Sequence, residues 1–598
     1  GTKVGAYTLE ITGLDYTGKT TEPTELNILT AFQEKYGEIM AIYYVTKISD
    51  ASITNKVAFY AKTKLTSLTF TNDETVVKGK TFEIGTYAFY GCSALATLTF
   101  PDNVKKIGAY AFQNSGITYF EIPAQTEEIG ENAFNNCQSL KKLEFPIGEL
   151  GTSMLIGTTT AVPFQGCVSL ETLTFAEDFW GKIGGNDKNL FGLDVDADAE
   201  SLAALKTILF KGYLNGSIEG SAFGAASNTG TICTSLNSLT ITKGLQGGNT
   251  GTDASAFGAS IAANAFSYCE ALETVSLNGV TIAGKDLSKE AKDVTITAGA
   301  FINTGIKNLN LGNISITNQE GVRTFSLGAA FSSEALESVT IGTITISSKS
   351  GSEKKHVVEF DDKAFVGGEN FKKFTVGNIS NTAGNVTFGK TGTNPVAYSS
   401  DFAAIPAQLQ TLEEVTFGDI ATSDSVTINT NAFQSDALKK VVIKDLKKIA
   451  KDADTNDAIT IGNGAFAVKK AADSEVSSKT IEIGNISATT TINAGAFTGA
   501  TGDAEGTYSY AATIKNIKAE GTKAVNLTIR AGAFEGPTAG NCTYTIGEVN
   551  ADMANVEGSA FKGAVLDGNH NTLVKITGAY KQTFKNNYPF TKVKKLEV

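Results

Sequence analysis

The fold is decided by the stretch Ile84-Gly-Thr-Tyr-Ala-Phe89-Tyr-Gly-Cys-Ser-Ala-Leu95-Ala-Thr-Leu-Thr-Phe100, which contains two motifs. The first motif is an apolar residue, three variable positions and then Ala-Phe. The second motif is Leu-x-x-Leu-x-Phe, and its last half alternates apolar and polar residues. Such alternation predicts a short strand with one buried face.

The first motif recurs along the chain, which predicts a repeat architecture. One coil cannot bury its own apolar face, but stacking would place the phenylalanines of neighbouring coils in a continuous internal ladder. The alanine before each ring is small because we expect backbone segments to approach closely there. The predicted ladder consists of Phe89, Phe112, Phe134, Phe266, Phe301, Phe365, Phe433, Phe466, Phe497, Phe534 and Phe561.

The repeats differ in length: 22 residues separate Phe112 from Phe134, whereas 31 separate Phe466 from Phe497. The added length carries a Gly-x-Ile segment and then a second alternating run, of which Val294-Thr-Ile296 is an example. We therefore interpret each long repeat as a coil with two strand-like edges.

The chain divides into an N-terminal capping region, residues 1–57, and a repeat solenoid, residues 58–598. A cap is expected because the first coil would otherwise expose its apolar end. Within the cap, Tyr7–Ile11 and Met40–Val45 have strand patterns, and Thr24–Tyr36 has helical spacing. The solenoid has short repeats over about 58–175 and longer, irregular repeats over about 176–598.

The segments from Ile84 to Pro101 and from Ile107 to Pro146 resemble the leucine-rich repeat of BspA-like bacterial surface proteins. The resemblance is strong from about Ile84 to Phe175 and traceable to Val598. It implies an α/β-type repeat solenoid that is mostly β, a curved right-handed stack of coils with short strands and an irregular convex side. It also implies export to the bacterial cell surface (outer membrane) or secretion, and a non-enzymatic role in adhesion or recognition of a protein or glycan on a host or neighbouring cell.

Composition excludes several classes of function. The net charge is −12 and the chain has only two arginines, so it lacks the basic face that nucleic acid requires. Its only histidines, His356 and His570, are predicted at surface or turn positions, which disfavours imidazole metal sites and histidine catalysis. The chain has no run of 18 consecutive apolar residues, so no membrane-spanning segment is predicted. We interpret Gly1 as the first residue after a removed leader. Any attachment to a membrane is then expected only through a lipid anchor.

Five of the six cysteines occupy one repeated position, three residues before the leucine that leads each strand. They are Cys92, Cys137, Cys167, Cys233 and Cys269, whereas Cys542 lies outside the pattern. We predict buried free thiols. The alternative is a disulfide between Cys137 and Cys167, because neighbouring coils are close.

An inserted acidic segment places Asp194, Asp196 and Asp198 at alternate positions, like the opening of a calcium loop. Position six is Ala199 and position twelve is Leu205, where a calcium loop has glycine and glutamate. We therefore predict a solvated insertion, with calcium as the alternative and no other cofactor.

The variable positions of the strand motif would form a concave binding face. Threonine is also a good strand former that faces water, so a plain scaffold is the alternative. The candidate binding residues are Thr97, Thr99, Lys142, Glu144, Thr172, Thr174, Lys373, Thr375, Glu414, Thr416 and Lys440.

Three functions remain open. The first is non-enzymatic recognition of a macromolecule at the cell surface. The second is a polysaccharide-binding or polysaccharide-degrading β-solenoid, since a glycosidase needs only two carboxylates about 5–9 Å apart. The third is a passive surface spacer without a ligand.

Overall fold

The computed structural model describes almost only strands and turns, and among the described residues Ile28 alone is helical. No helix in this part of the chain is long and apolar enough to cross a membrane. The described residues are 7–12, 23–28, 43–70, 81–145, 155–156, 163–176, 178–184, 202–225, 233–249, 256–283, 291–319, 321–348, 356–360, 364–382, 384–388, 411–433, 437–449, 458–468, 478–499, 509–518, 525–536, 541–550, 553–562, 571–576, 590–591 and 595–597.

The chain forms two compact units, each described here by itself. Unit 1 contains residues 1–246, 258–278 and 299–306. Unit 2 contains residues 247–257, 279–298 and 307–598. Two strands, Gly244–Asn249 and Ala256–Gly258, contain residues of both units.

In unit 1, strands of successive repeats pair in parallel, so each repeat adds one strand to each sheet. The strand motif supplies Glu25–Asn27, Ser67–Thr69, Thr97–Thr99, Tyr119–Glu121, Lys142–Phe145, Thr172–Phe175, Thr207–Phe210, Ser238–Ile241 and Thr274–Ser276. The residues before Ala-Phe supply Tyr7–Ile11, Tyr43–Ile48, Phe82–Ile84, Val104–Ile107, Glu128–Ile129, Leu155–Ile156, Lys182–Ile183, Ser217–Ile218 and Ser260–Ile261. Tyr213–Leu214 and Phe301–Ile302 are further short strands.

The N-terminal segment already takes part in these sheets. The predicted strand Tyr7–Ile11 is confirmed, and the second strand covers Tyr43–Ile48, a few residues later than its prediction. The helix predicted over Thr24–Tyr36 is wrong at its start, because Glu25–Asn27 form a strand. Leu26 pairs in register with Leu68, so cross-strand pairing outweighs the helical spacing at this point. Residues 29–36 lie outside the described residues.

Unit 2 repeats the same plan with longer strands. The strand motif and the segment after it supply Gly279–Ile282, Asn308–Gln319, Ser338–Ser348, Lys373–Val376, Ile379–Asn381, Glu414–Phe417, Ile420–Thr422, Lys440–Ile443, Leu446–Lys448, Ser478–Ile486, Ser509–Lys518, Asn541–Asn550, Asn571–Ile576 and Lys595–Glu597. The second edge supplies Val294–Ile296, Thr324–Leu327, Val357–Phe360, Val386–Phe388, Val426–Ile428, Ala458–Ile461, Thr489–Ile492, Asn526–Ile529 and Met553–Val556. The turns contribute Phe331–Ser333, Phe365–Gly367, Phe534–Glu535, Phe561–Lys562 and Phe590–Thr591.

The prediction of a mostly-β repeat solenoid is therefore confirmed. The two strand-like edges of the long repeats are both present, and neighbouring repeats pair in parallel at each edge. Each repeat buries its alternate apolar residues against the repeats on either side, as stacking requires.

The bend between the two strands of a long repeat is held by an asparagine–aspartate ladder. The side-chain oxygen of Asn378 accepts the N–H of Asp419 at 2.9 Å, and that of Asp445 accepts the N–H of Asn485 at 2.8 Å. A Cβ at Gly418 would lie 2.7 Å from the nitrogen of Asn378, so only glycine fits beside this ladder. The Gly-x-Ile segments seen in the sequence thus mark a bend that stacks coil on coil.

The glycine-rich run that begins at Gly244 is not a turn between coils. Residues Gly244–Asn249 form a strand. A Cβ at Gly247 would lie 2.2 Å from the carbonyl oxygen of Lys292, so glycine allows a close approach of two backbone segments.

The phenylalanines of the first motif stack ring on ring inside each unit. In unit 1, Phe89, Phe112 and Phe134 have centroids 5.1 and 5.0 Å apart. In unit 2, centroid spacings lie between 4.7 and 5.1 Å along the series Phe433, Phe466, Phe497, Phe534 and Phe561. All of these rings are at most 1% exposed.

Candidate recognition surface

The strand face is the outward side of the sheet built from the strand motif. In unit 1, Thr97, Thr99 and Lys142 are exposed on it and Thr172 is half-buried. In unit 2, Lys373 is exposed, whereas Thr375, Glu414, Thr416 and Lys440 are half-buried. Parallel pairing in register brings the side chains of neighbouring repeats together as rows on this face.

Two predicted face residues are buried, which corrects their placement. Glu144 is 8% exposed and Thr174 only 2% exposed. Lys211 lies two residues beyond Leu209, and its ammonium reaches Glu144 at 2.6 Å, two strands away. Thr174 lies on the strand between them, in register with Glu144 and Leu209.

Glu144 holds two cations at once. Its second oxygen lies 3.0 Å from the ammonium of Lys142. Burial opposes ionisation of this carboxyl, but the hydrogen bonds from Lys211 and Lys142 outweigh burial and hold its pKa below the usual value. The carboxylate therefore stays charged and fixes both lysines on the strand face.

Tyr119 is the large aromatic residue of this face, and the sequence prediction missed it. Its side chain is 39% exposed, its hydroxyl lies 2.9 Å from the Glu121 carboxylate, and the Lys142 ammonium lies 5.0 Å from its ring centroid. Burial and the bond to Glu121 raise its pKa, so the hydroxyl remains a donor. The signal was present, because Ile117-Thr-Tyr-Phe120-Glu-Ile122 is a copy of the strand motif with isoleucine in the leading position.

We call Tyr119, Glu121, Lys142, Glu144 and Lys211 the Tyr119 cluster. Its two carboxylates and two ammonium groups balance in charge. The ring of Tyr119 is fixed by a hydrogen bond at its hydroxyl and by a cation at its face, so little side-chain entropy remains to be lost on binding.

The charged residues of the strand face in unit 2 pair with each other. Lys373 and Glu414 approach to 3.4 Å, and Glu413 lies 3.5 Å from Lys372 and 2.7 Å from Lys439. The hydrogen bond from Lys439 lowers the pKa of Glu413. Positive and negative side chains thus alternate from strand to strand, which gives this face little net attraction for an ionic ligand.

The cysteines are buried free thiols, as the repeated position predicts. Four of them donate to the carbonyl of the motif phenylalanine on a neighbouring coil: Cys92 to Phe59 at 3.0 Å, Cys137 to Phe112 at 3.1 Å, Cys167 to Phe134 at 3.3 Å and Cys269 to Phe223 at 3.6 Å. The alternative disulfide between Cys137 and Cys167 is absent from the structure. Cys542 lies in the interior column of the last coils, in register with Tyr510.

Thiol labelling is expected to give no fast reaction in the native, reduced protein and six reactive groups after denaturation. Burial raises the pKa of the Cys137 thiol to about 12, and the thiolate is the reactive form. The measurement is the stoichiometry of a chromogenic disulfide reagent with and without denaturant. A reactive thiol in the native state would contradict this burial. A protein mass lower by two hydrogen atoms after purification under reducing conditions would indicate a disulfide and would contradict the prediction of free thiols.

The surface or turn position predicted for His356 is wrong. The residue is fully buried, at the start of strand Val357–Phe360, and its Nδ1 accepts the N–H of Arg323 at 3.1 Å. Burial, and then the Arg323 guanidinium, lower its pKa to about 4. The sequence contains no signal for this burial, since a single histidine before a strand is as compatible with a turn.

Other predicted sites fall elsewhere. His570 and the acidic segment with Asp194, Asp196 and Asp198 lie outside the described residues. Among the residues that the structure describes, no group of three or more His, Cys, Asp or Glu side chains could hold a metal ion.

Comparison with known proteins confirms the sequence resemblance. Residues 51–184 and 329–460 match the BspA type leucine rich repeat region, in six copies. A leucine-rich repeat protein from Bacteroides ovatus ATCC 8483 aligns over 77% of this chain and 83% of its own, with 15% identity and a TM-score of 0.19. A leucine rich cell surface protein from Faecalibacterium prausnitzii A2-165 aligns over 60% and 84%, with 17% identity and a TM-score of 0.20. No curated protein matches the chain.

Proposed function

Because the chain carries BspA-type leucine-rich repeats over residues 51–184 and 329–460, we propose that it is an exported, non-enzymatic recognition protein of the bacterial cell surface. In this proposal the strand face of unit 1 binds a protein on a host or neighbouring cell, and the Tyr119 cluster is the centre of contact.

The observation that carries the proposal is the exposure of Tyr119 among fixed charges. Tyrosine side chains near the centre of a protein interface often supply much of its affinity. Tyr119 offers a half-exposed ring, and Lys142 and Glu121 offer hydrogen-bonding groups already held in place. The exposed Thr97 and Thr99 lie on an earlier strand and extend the same face.

The electrostatics of the cluster favour binding over glycoside hydrolysis. Glu121 and Glu144 lie opposite each other on paired strands and so form a candidate carboxylate pair. A glycosidase requires one of its carboxyls to carry a proton near neutral pH, which takes a raised pKa. Lys211 and Lys142 instead lower the pKa of Glu144, so this carboxyl would not act as a general acid.

Replacing Tyr119 and Lys142 together by alanine is expected to weaken binding to intact epithelial cells by about tenfold or more, since both supply contacts at the centre of the face. The measurement is saturation binding of fluorescently labelled protein, before and after trypsin treatment of the cells. Trypsin should abolish wild-type binding if the partner is a protein. Val168→Ala is the matched control, because Val168 is also 39% exposed but lies outside the strand face.

Binding of the double variant at the wild-type level would contradict the role of the Tyr119 cluster. Release of reducing sugar from a panel of plant, mucin and bacterial polysaccharides would contradict the non-enzymatic proposal and favour a polysaccharide-degrading protein. Absence of saturable binding to any cell or matrix surface would favour a passive spacer.

A further inference from the structure

The turns that carry the Ala-Phe motif display a second surface in unit 1, away from the strand motif. In most described turns of both units the residue two positions before the phenylalanine has a left-handed backbone, and in several turns the residue two positions after it does too. Asparagine and glycine, which tolerate this conformation, occupy most of them. Before the phenylalanine these are Asn132, Asn264, Gly299, Asn431, Gly464, Gly495 and Gly532, with serine at Ser221 and Ser559.

Two successive turns depart from this rule. Tyr87 and Tyr110 occupy the same position with φ of 56° and 57°. A bulky residue is strained in the left-handed region, and such strain collects at functional sites. The two rings stack at 4.8 Å with planes 7° apart, and both remain partly exposed. The tyrosines therefore form an ordered aromatic surface at positions where asparagine would fold more easily.

The aromatic surface continues into a row of amides. Tyr90 stacks on Tyr60 at 5.0 Å, and the next two turns place Gln113 and Asn135 at the position of Tyr90. The amide nitrogen of Gln113 donates to the Asn135 oxygen at 2.9 Å. Tyr60 is buried beneath this row, and we call the partly exposed Tyr87, Tyr90, Tyr110, Gln113 and Asn135 the tyrosine–amide surface.

The chemistry of this surface selects for an uncharged, hydroxyl-rich ligand. An amide has two donors and two acceptor lone pairs, and a phenol is both donor and acceptor, so together they match hydroxyl groups, which also donate and accept. Burial, and the neighbouring Tyr110 phenol, raise the pKa of Tyr87, which keeps its hydroxyl protonated. Charged side chains occur at the border, where the Lys56 ammonium lies 5.9 Å from the Tyr60 ring centroid.

The spacing of the surface also fits a glycan better than a peptide. Equivalent rings repeat at 4.8–5.0 Å from coil to coil. An extended peptide advances about 3.3 Å per residue, which does not match one coil. A pyranose unit of an extended polysaccharide advances by close to one coil, so each sugar could meet an equivalent set of phenol and amide groups. We propose that the tyrosine–amide surface binds a neutral polysaccharide along the stacking direction of unit 1.

The test is affinity gel electrophoresis with neutral xylan, β-glucan, mannan and galactan, and with polygalacturonate as the anionic comparison. At least one neutral polysaccharide should retard the wild-type protein, with retardation unchanged at about 0.5 M salt because no ion pairs are involved. The variant Tyr87→Asn/Tyr110→Asn should lower the affinity by about tenfold or more. Its Tm should stay within about 4 °C of wild type, since relief of backbone strain offsets the lost ring stacking.

Tyr268→Asn is the matched control. Tyr268 is also a partly exposed tyrosine with left-handed backbone, φ 61°, but it lies in another coil without tyrosine neighbours in its column. Its replacement should leave polysaccharide affinity unchanged. The variant Gln113→Ala/Asn135→Ala removes the amides without touching a strained position, and it should weaken binding even if the tyrosine variant folds poorly.

Three results would overturn the proposal: no retardation by any neutral polysaccharide, equal affinity of wild type and both double variants, or binding confined to polygalacturonate and lost in salt. The site is separate from the proposed protein-binding face. Replacing Tyr119 and Lys142 should leave polysaccharide binding intact, and replacing Tyr87 and Tyr110 should leave trypsin-sensitive cell binding intact. Failure of one proposal is thus distinguishable from failure of the other.

Discussion

Replacing Phe497 by alanine is expected to lower the free energy of unfolding by about 3–5 kcal/mol. The ring is fully buried and is stacked between Phe466 at 5.1 Å and Phe534 at 4.9 Å. Its removal loses both the transfer free energy of the ring and the contacts of two neighbouring coils, since a stack cannot collapse around a missing rung. The measurement is urea-induced unfolding followed by circular dichroism.

Thr416→Ala is the control for this loss. Thr416 is half-buried on the strand face of the same unit, and its replacement should cost less than about 1 kcal/mol. Equal effects of the two substitutions would mean that the phenylalanine ladder contributes no special stability. Phe497→Leu should fall between them, because leucine retains most of the buried apolar volume.

Between pH 6.5 and pH 4, His356 is expected to lower the unfolding free energy of the wild-type protein by up to about 3 kcal/mol. The His356→Gln variant should not show this loss. The unfolded histidine takes up a proton near pH 6.5, whereas the folded one does so only near pH 4, because burial and the Arg323 guanidinium disfavour its charged form. Its contribution is therefore fully present above pH 6.5 and is lost as the pH falls toward 4. Glutamine does not titrate and offers an oxygen to the Arg323 N–H.

The measurement is the unfolding free energy of wild type and His356→Gln at intervals between pH 7.5 and about 4. Carboxylates contribute to the pH dependence of both proteins, so the difference between the curves reports the histidine. Parallel curves over this range would show that His356 is accessible to protons in the folded state.

The repeat plan was predictable from the sequence because it rests on periodic side chains. The Ala-Phe spacing located the stacked turns, and the alternation in Val294-Thr-Ile296 located the second strand edge. The repeated position of the cysteines predicted their burial, because a residue at a fixed offset from a buried ring occupies the same environment in every coil.

The parts that failed depend on contacts between coils that periodicity does not encode. Glu144 is buried because Lys211 reaches across an intervening strand, and the offset between them is 67 residues. Thr24–Tyr36 has helical spacing, yet Leu26 pairs with Leu68 in a sheet. Tyr119 was missed for a simpler reason, since its motif copy begins with isoleucine instead of leucine.

The left-handed turn positions illustrate the same limit. The sequence shows asparagine and glycine near each Ala-Phe, but only the backbone angles show that Tyr87 and Tyr110 occupy the position that asparagine or glycine fills elsewhere. Recognition of an unusual residue required knowledge of the conformation that the position demands.

The most direct test of stacked coils is a pair of double-mutant cycles on the unfolding free energy of unit 2 residues in the full chain. The adjacent rings Phe466 and Phe497 should show a coupling of about 1 kcal/mol or more when both are replaced by alanine. Phe433 and Phe497, which are two rungs apart with Phe466 between them, should be additive within about 0.5 kcal/mol. Additivity of the adjacent pair, or equal coupling of both pairs, would contradict a ladder in which each coil contacts only its neighbours.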